Sequence, residues 1–254
     1  IPVLVGAAYA AGLGAVNWAA FVLALVGAAA VHVAANTWND LYDWRAGVDQ
    51  ANNDYFLPYS GGSRAIEIGL VSERGLMRIA LGALVVALAA GIGIAALGVP
   101  AILPLGLVGA AIAWAYTAPP LRLVARHGAG EFLIGAAFGP LITFGTTMAM
   151  TGAATIDAAL VGIPVGLLTT AILWINEFPD AASDRPTGKL NLVVTMGLAR
   201  ARYGYAALMV GAFGGTIALI AAGIAPAAAA VALLTAPMAI TATRRLFRDY
   251  QART

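Results

Sequence analysis

Eight apolar runs, most of them close to twenty residues long, leave this chain few ways to fold. They cover 1–13, 17–38, 75–97, 99–116, 130–151, 156–177, 201–222 and 224–243. A helix needs about 20 mainly apolar residues to cross a bilayer. Charged residues make up only 10% of the chain and hydrophobic residues 61%, whereas a soluble domain carries about 25% charged residues. The expected fold is therefore all-α: a polytopic transmembrane helical bundle of eight spans around a central cavity. Alanine and glycine recur throughout the runs, and small residues let helices approach closely in lipid, so the bundle is expected to be tight. The net charge of +2 rests on so few charges that it does not imply nucleic acid. Cysteine is absent, which excludes disulfides. The chain opens abruptly at Ile1-Pro2-Val3 with no basic stretch of the kind a cleavable signal carries. That opening reads as the middle of a first helix, clipped at its start.

The connections between runs fall into two sets. One set is short: 14–17, 98–100, 151–157 and 223–226. It holds no Lys or Arg and a single acid, Asp157. The other set is 39–74, 117–129, 178–200 and the tail 244–254. It holds the Lys and Arg residues, apart from those at helix ends abutting it. By the positive-inside rule the second set is cytoplasmic. The expected location is the inner (plasma) membrane, multi-pass, with the site at the cytoplasmic side. The apolar run to 38 ends in Asn36-Thr-Trp-Asn39-Asp40-Leu-Tyr-Asp43, with Asp49 beyond. The run to 177 ends in Asn176-Glu177-Phe-Pro-Asp180-Ala-Ala-Ser-Asp184. Each cluster is followed by glycine and a cation (Gly61-Gly62-Ser63-Arg64; Gly188-Lys189), then by a Gly-Leu step with arginines. The pattern divides the single domain into two similar halves, about 1–128 and 129–254, with the clusters facing one another.

Carboxylates at a membrane edge are costly unless a cation neutralises them. Residues four apart share a helix face. Asn39 and Asp43 make one such pair, Asn36, Asp40 and Asp43 a row, and Asn176, Asp180 and Asp184 another if the helix continues past Pro179. Oxygen donors alone, with His32 and His127 the only histidines, suit Mg²⁺ rather than zinc. Two clusters suit two ions bridging a diphosphate. Arg64 and Lys189, with Arg45, Arg122 and Arg126 on the same side, add phosphate-binding cations. Such a set stabilises a departing diphosphate, and an aromatic face such as that of Tyr116, Tyr42, Trp174 or Phe178 suits the carbocation left behind. Either cluster alone also reads as a polar helix terminator, Tyr116 as an interfacial aromatic, and Glu131 as a helix-start carboxylate complementing the dipole. The two clusters on one side, each trailed by glycine and a cation, favour the site.

These motifs resemble those of the UbiA superfamily of intramembrane prenyltransferases. The second family string is intact as Asp180-x-x-x-Asp184. The first departs from the commonest form, with Gly47 in place of an acid and Asp49 next. That wider spacing is similar to the branch that prenylates 1,4-dihydroxy-2-naphthoate on the way to menaquinone. Ser60-Gly-Gly-Ser-Arg64, Tyr116-Thr-Ala-Pro-Pro-Leu-Arg122 with Gly128-Ala-Gly-Glu131, Phe138-Gly-Pro-Leu141 with Gly145, and Asn176 through Lys189 look like that branch too. The resemblance implies nine spans, of which eight are read here, and Mg²⁺ with a prenyl diphosphate donor. It implies metal–diphosphate roles for Asn39, Asp43, Asp49, Asn176, Asp180 and Asp184, to which spacing adds Asp40. Arg64 and Lys189 match diphosphate-holding positions. Catalysis is assigned to Asp40, Asp43, Asp180, Asp184, Arg64, Lys189 and Tyr116, and substrate binding to Asn39, Asn176, Arg64, Lys189, Arg122 and Arg45. The aromatic acceptor within the superfamily stays open among naphthoate, 4-hydroxybenzoate, chlorin or haem, a glycerol-phosphate lipid, and none at all (a terpene cyclase). An anionic-solute transporter is the reading from another class; the opposite loops, with Asp157 their single charge, offer no obvious exit.

Overall fold

The computed structural model describes residues 1–52 and 62–251. Ser60 and Gly61 of the first glycine-containing loop lie outside the described residues. The helices are α1 (Pro2–Gly12), α2 (Trp18–Arg45), the single turn α3 (Val48–Ala51), α4 (Glu73–Ala96), α5 (Ile102–Thr117), α6 (Ala129–Ala136), α7 (Ile142–Thr151), α8 (Ile156–Asp184), the short α9 (Leu192–Met196), α10 (Leu198–Ala221) and α11 (Ala236–Asp249). Six stretches are long and apolar enough to cross a membrane: α2, α4, Ala129–Thr151, α8, α10 and Ala227–Asp249. The shorter α1 and α5 are apolar as well. Together they account for the eight apolar runs. Among the described residues there is no strand, only an isolated bridge between Arg126 and Leu190.

The boundaries differ from the sequence reading in one way that matters. The runs were expected to end near 38 and 177, with the acidic clusters in the loops. Instead α2 continues to Arg45 and α8 to Asp184, so most of each cluster is helical. α2 has 28 residues, which at about 1.5 Å per residue makes about 42 Å, well beyond a hydrocarbon core of about 30 Å. The last turns of α2 and α8 therefore project past the apolar layer as polar stalks. Pro179 costs α8 one backbone hydrogen bond without ending it. α11 likewise runs past 243, to Asp249.

Large apolar side chains face outward: Val85, Leu107, Val210 and Leu234 are all exposed. In water this would be an aggregation surface; in lipid it is the ordinary exterior. Inside, small residues set the helix spacing. A Cβ on Gly139, Gly162 or Gly166 would collide with the backbone of the facing helix, which fixes α8 against the turn between α6 and α7. That turn (Ala137–Leu141) is a π-turn containing Pro140. Thr143 Oγ1 donates to the Gly139 carbonyl at 2.9 Å, supplying a donor where the normal ladder is broken.

Between α2, α4, α5 and α6–α7 lies an apolar cavity of about 760 Å³. Its wall is almost wholly aliphatic, and His32, Tyr116 and Thr146 are its polar members. A packed core of Ala10, Ala20, Ile94, Val99 and Met148–Met150, with Phe21 and Phe144 against it, shares Ile94 with the cavity wall.

Candidate active site

The polar stalks of α2 and α8 meet. Asp43, Asp49, Asn52, Asp180, Asp184 and Lys189 line one small cavity of about 20 Å³, with Val48 and Gly62 completing the wall. The four carboxylates reach it from three elements. Asp43 lies in the last turn of α2. Asp49 comes from α3, after Gly47 has turned the chain through a left-handed conformation (φ 75°). Asp180 and Asp184 lie four apart on α8, as the row expected. Lys189 follows Gly188, also left-handed at φ 73°.

The contacts divide the acids between donors. Lys189 Nζ donates to Asp43 Oδ2 at 3.1 Å, an ion pair largely shielded from solvent. Asn39 Nδ2 donates to the same oxygen at 3.4 Å. Asn52 Nδ2 donates to Asp180 Oδ1 at 2.9 Å, and Asn191 Nδ2 to Asp184 Oδ2 at 3.1 Å. Asp184 Oδ1 is buried with no partner. Asp40 accepts from Ser63 Oγ at 2.5 Å and lies beside Gly62, as does Asp49. Burial first, then the charges of Asp43 and Asp40, push the Asp49 carboxyl up to about 7. Burial works against the Lys189 ammonium, but the carboxylates of Asp43 and Asp184 outweigh it and hold the amine above its ordinary value.

The other expected residues stand further off. Arg64 is buried and pairs with Glu67 at 2.6 Å and with the Asn52 carbonyl, behind the cavity rather than in its wall. Arg45 extends over the Tyr42 ring to an exposed pair with Glu73 at 2.8 Å. Asn176 is half-buried one turn before Asp180. Arg122 takes a left-handed conformation (φ 40°) in the loop after α5, with Nη2 buried and unpartnered. Neither Asn176 nor Arg122 lines either cavity. Tyr116 does line the apolar cavity, and it lies in electrostatic reach of Lys189, Glu177, Glu131 and Asp43. It lines the apolar chamber and not the small acidic one.

Three residues of the site were not singled out from the sequence. Asn52 and Asn191 hold the acids, and Glu177 is a buried acid with Oε2 unpartnered, near Glu131, whose Oε2 is unpartnered too. Glu177 had a legible signal: an acid beside Asn176 at the end of an apolar run. The two asparagines had none, because loop amides are ordinary.

The donor set suits a hard divalent cation, being made of oxygens only and including a buried carboxylate oxygen without a partner. Among the described residues no three His, Asp or Glu side chains converge closely enough to hold one ion by themselves. The Lys189 ammonium sits on Asp43 instead. The residues thus fit a cation that keeps water and shares its coordination with a phosphate, as Mg²⁺ does.

The chain is similar to known proteins over nearly its whole length. The chain is 30% identical to the 1,4-dihydroxy-2-naphthoate octaprenyltransferase of Mycobacterium leprae over 96% of its own length and 79% of the relative's. It is 26% identical to the enzyme of that name from Bacillus subtilis, over 96% and 76%. Chlorophyll synthase of Arabidopsis thaliana is 28% identical over 66% of this chain and 41% of its own. Residues 1–254 match one family throughout. An apolar helical bundle with two acidic stalks over an aliphatic chamber, matched end to end in this way, is a multi-pass membrane enzyme that belongs to the UbiA prenyltransferase family.

Proposed function

We propose that this protein transfers a polyprenyl group from its diphosphate to an aromatic acceptor, and that the acceptor is 1,4-dihydroxy-2-naphthoate, in menaquinone biosynthesis. One observation carries the reading: the bundle holds both a small chamber walled by four carboxylates and a lysine and an apolar chamber of about 760 Å³ with Tyr116 in its wall. The first suits a metal-bound diphosphate and the second an isoprenoid tail. The names of the Mycobacterium leprae and Bacillus subtilis relatives support the acceptor.

Asn39, Asp40, Asp43 and Asp49 on one side, and Asn176, Asp180 and Asp184 on the other, would hold two Mg²⁺ ions, which when bound neutralise the leaving diphosphate. Lys189 lies where it can donate to the same phosphate oxygens, and Arg64 backs it. The carbon–oxygen bond of the donor breaks with its electron pair on the diphosphate. A π pair of the electron-rich ring forms the new carbon–carbon bond. The ring regains its electrons as the carboxyl group leaves as carbon dioxide. The Tyr116 ring, in the wall of the apolar chamber, stabilises the allylic cation, and the aliphatic walls keep water from capturing it. The halves 1–128 and 129–254 each contribute one acidic stalk, and the site faces the cytoplasmic side of the inner (plasma) membrane.

The test is diphosphate release and product mass from geranylgeranyl diphosphate with Mg²⁺, with and without the naphthoate. Naphthoate-dependent release giving a prenylated, decarboxylated product is expected. Release with 4-hydroxybenzoate alone would replace the acceptor, release without any acceptor would make the protein a cyclase, and no release with any acceptor would sink the reading.

A further inference from the structure

Lys189 and Asn191 hold two of the four carboxylates of the small chamber, yet they lie in an irregular segment between α8 and α9. Something must fix that segment, because a flexible lysine is a poor phosphate ligand. Within the segment, Lys189 N donates to the Asp184 carbonyl at 3.0 Å. Asn191 Oδ1 caps α9 by accepting from Val194 N at 2.8 Å while its amide donates to Asp184. Arg185 Nη2 donates to the Val194 carbonyl at 2.5 Å, and further anchors come from α6 and the residues just before it. His127 N donates to the Leu190 carbonyl at 2.9 Å. Glu131 Oε1 accepts from Leu192 N at 2.5 Å. Glu131 is 2% exposed, and its own carbonyl accepts from Thr170 Oγ1 of α8 at 3.3 Å. A buried charge is costly, so a nonpolar contact would serve better if Glu131 only filled space.

We propose that Glu131 is a positioning residue of this site: by holding the 190–192 backbone it keeps Lys189 on Asp43 and Asn191 on Asp184. The inference rests on the prenyl-diphosphate reading above for what Lys189 does, but not for the strap itself. Glu131 acts through reach and hydrogen bonding. Its charge falls on Tyr116 and Glu177, whereas the charges felt most by Lys189 are those of Asp43 and Asp184.

Two conservative variants separate reach from charge. Glu131→Gln keeps the length and an acceptor oxygen; Glu131→Asp keeps the charge and draws the oxygen back by one methylene. Glu131→Asp is expected to raise the KM for prenyl diphosphate and lower kcat, with kcat/KM falling by about 10- to 100-fold, the cost of a displacement of about 1 Å in a catalytic group. The acceptor KM stays within about twofold, and Glu131→Gln stays within about threefold of wild type throughout. In a Lys189→Ala background, Glu131→Asp adds little, since both changes remove the same contact. Calorimetry of Mg²⁺-pyrophosphate binding to the same variants needs no turnover. If Glu131→Asp weakens pyrophosphate binding while wild type transfers no prenyl group, the strap stands and the prenyl-transfer reading falls. An active wild type matched by Glu131→Asp, a Glu131→Gln as damaged as Glu131→Asp, or additive losses with Lys189→Ala would each overturn the positioning role.

Discussion

The two acidic stalks solve the same problem with different backbones. On α8 the carboxylates occupy one continuous helix, and Asp180 and Asp184 reach the chamber by simple four-residue spacing. On the other side the helix stops at Arg45, Gly47 turns left-handed, and Asp49 swings in from α3. The five residues between Asp43 and Asp49 are too many for a helical row, and Gly47 removes the discrepancy. The partners differ as well. Asp43 takes a cation, Lys189, from the opposite half, whereas Asp180 and Asp184 take neutral amides and leave one oxygen of Asp184 unpaired. Lys189 ties the two stalks together, paired with Asp43 and within the field of Asp184.

The sharpest way to break this comparison is to remove one acid from each stalk. Asp43→Ala and Asp184→Ala are each expected to lower turnover by at least about 10²–10³-fold, the scale seen when a stabilising group at a developing charge is lost, with the protein still monodisperse in detergent. Full activity in either variant would remove that stalk from the site. Lys189→Met comes next. It leaves Asp43 and Asp184 buried without their cation, so added Mg²⁺ should raise the melting temperature more in this variant than in wild type; an equal or smaller rise would show that the lysine does not stand where a cation belongs.

Gly47→Ala tests the turn. A Cβ in the left-handed region costs about 1–2 kcal/mol, so a lower melting temperature and a several-fold loss of activity are expected, whereas Ala182→Gly on exposed α8 should cost only about 1 kcal/mol and leave activity within twofold. Equal activity losses would make the turn irrelevant. Asp49 gives a pH test of the same stalk. Its folded value, about 7, lies above the ordinary one, so its stabilising protonated form is complete at low pH and is lost as pH rises through about 7. Mg²⁺ competes for the ionised form, so its affinity should rise from pH 6 to 8, and Asp49→Asn should flatten that rise. An unchanged slope would place the titration elsewhere. The smallest effect belongs to Arg45→Ala: the exposed pair with Glu73 is worth less than about 1 kcal/mol, and turnover should change less than twofold.

Much of the fold was legible because hydrophobic length is a local property. Each of the eight apolar runs is helical, two of them in more than one piece, and the cytoplasm-assigned connections carry the site. The helix ends were not legible: nothing in the sequence near Trp38 or Glu177 says whether polar residues terminate a helix or extend it, and the extension depends on neighbours that satisfy those side chains. Arg45 and Lys189 make the same point. As sequence they are two cations beside two acidic clusters, and only packing sends one outward to Glu73 and the other inward to Asp43.

By itself, then, the sequence determined a helical membrane bundle and the oxygen-rich chemistry of its two clusters, because apolar length and residue type act locally. The tertiary structure alone decided which groups meet: Asn52 with Asp180, Asn191 with Asp184, Glu131 with the backbone that carries Lys189. These contacts join residues from 7 to 128 positions apart, through side chains and turns whose direction no periodic pattern encodes.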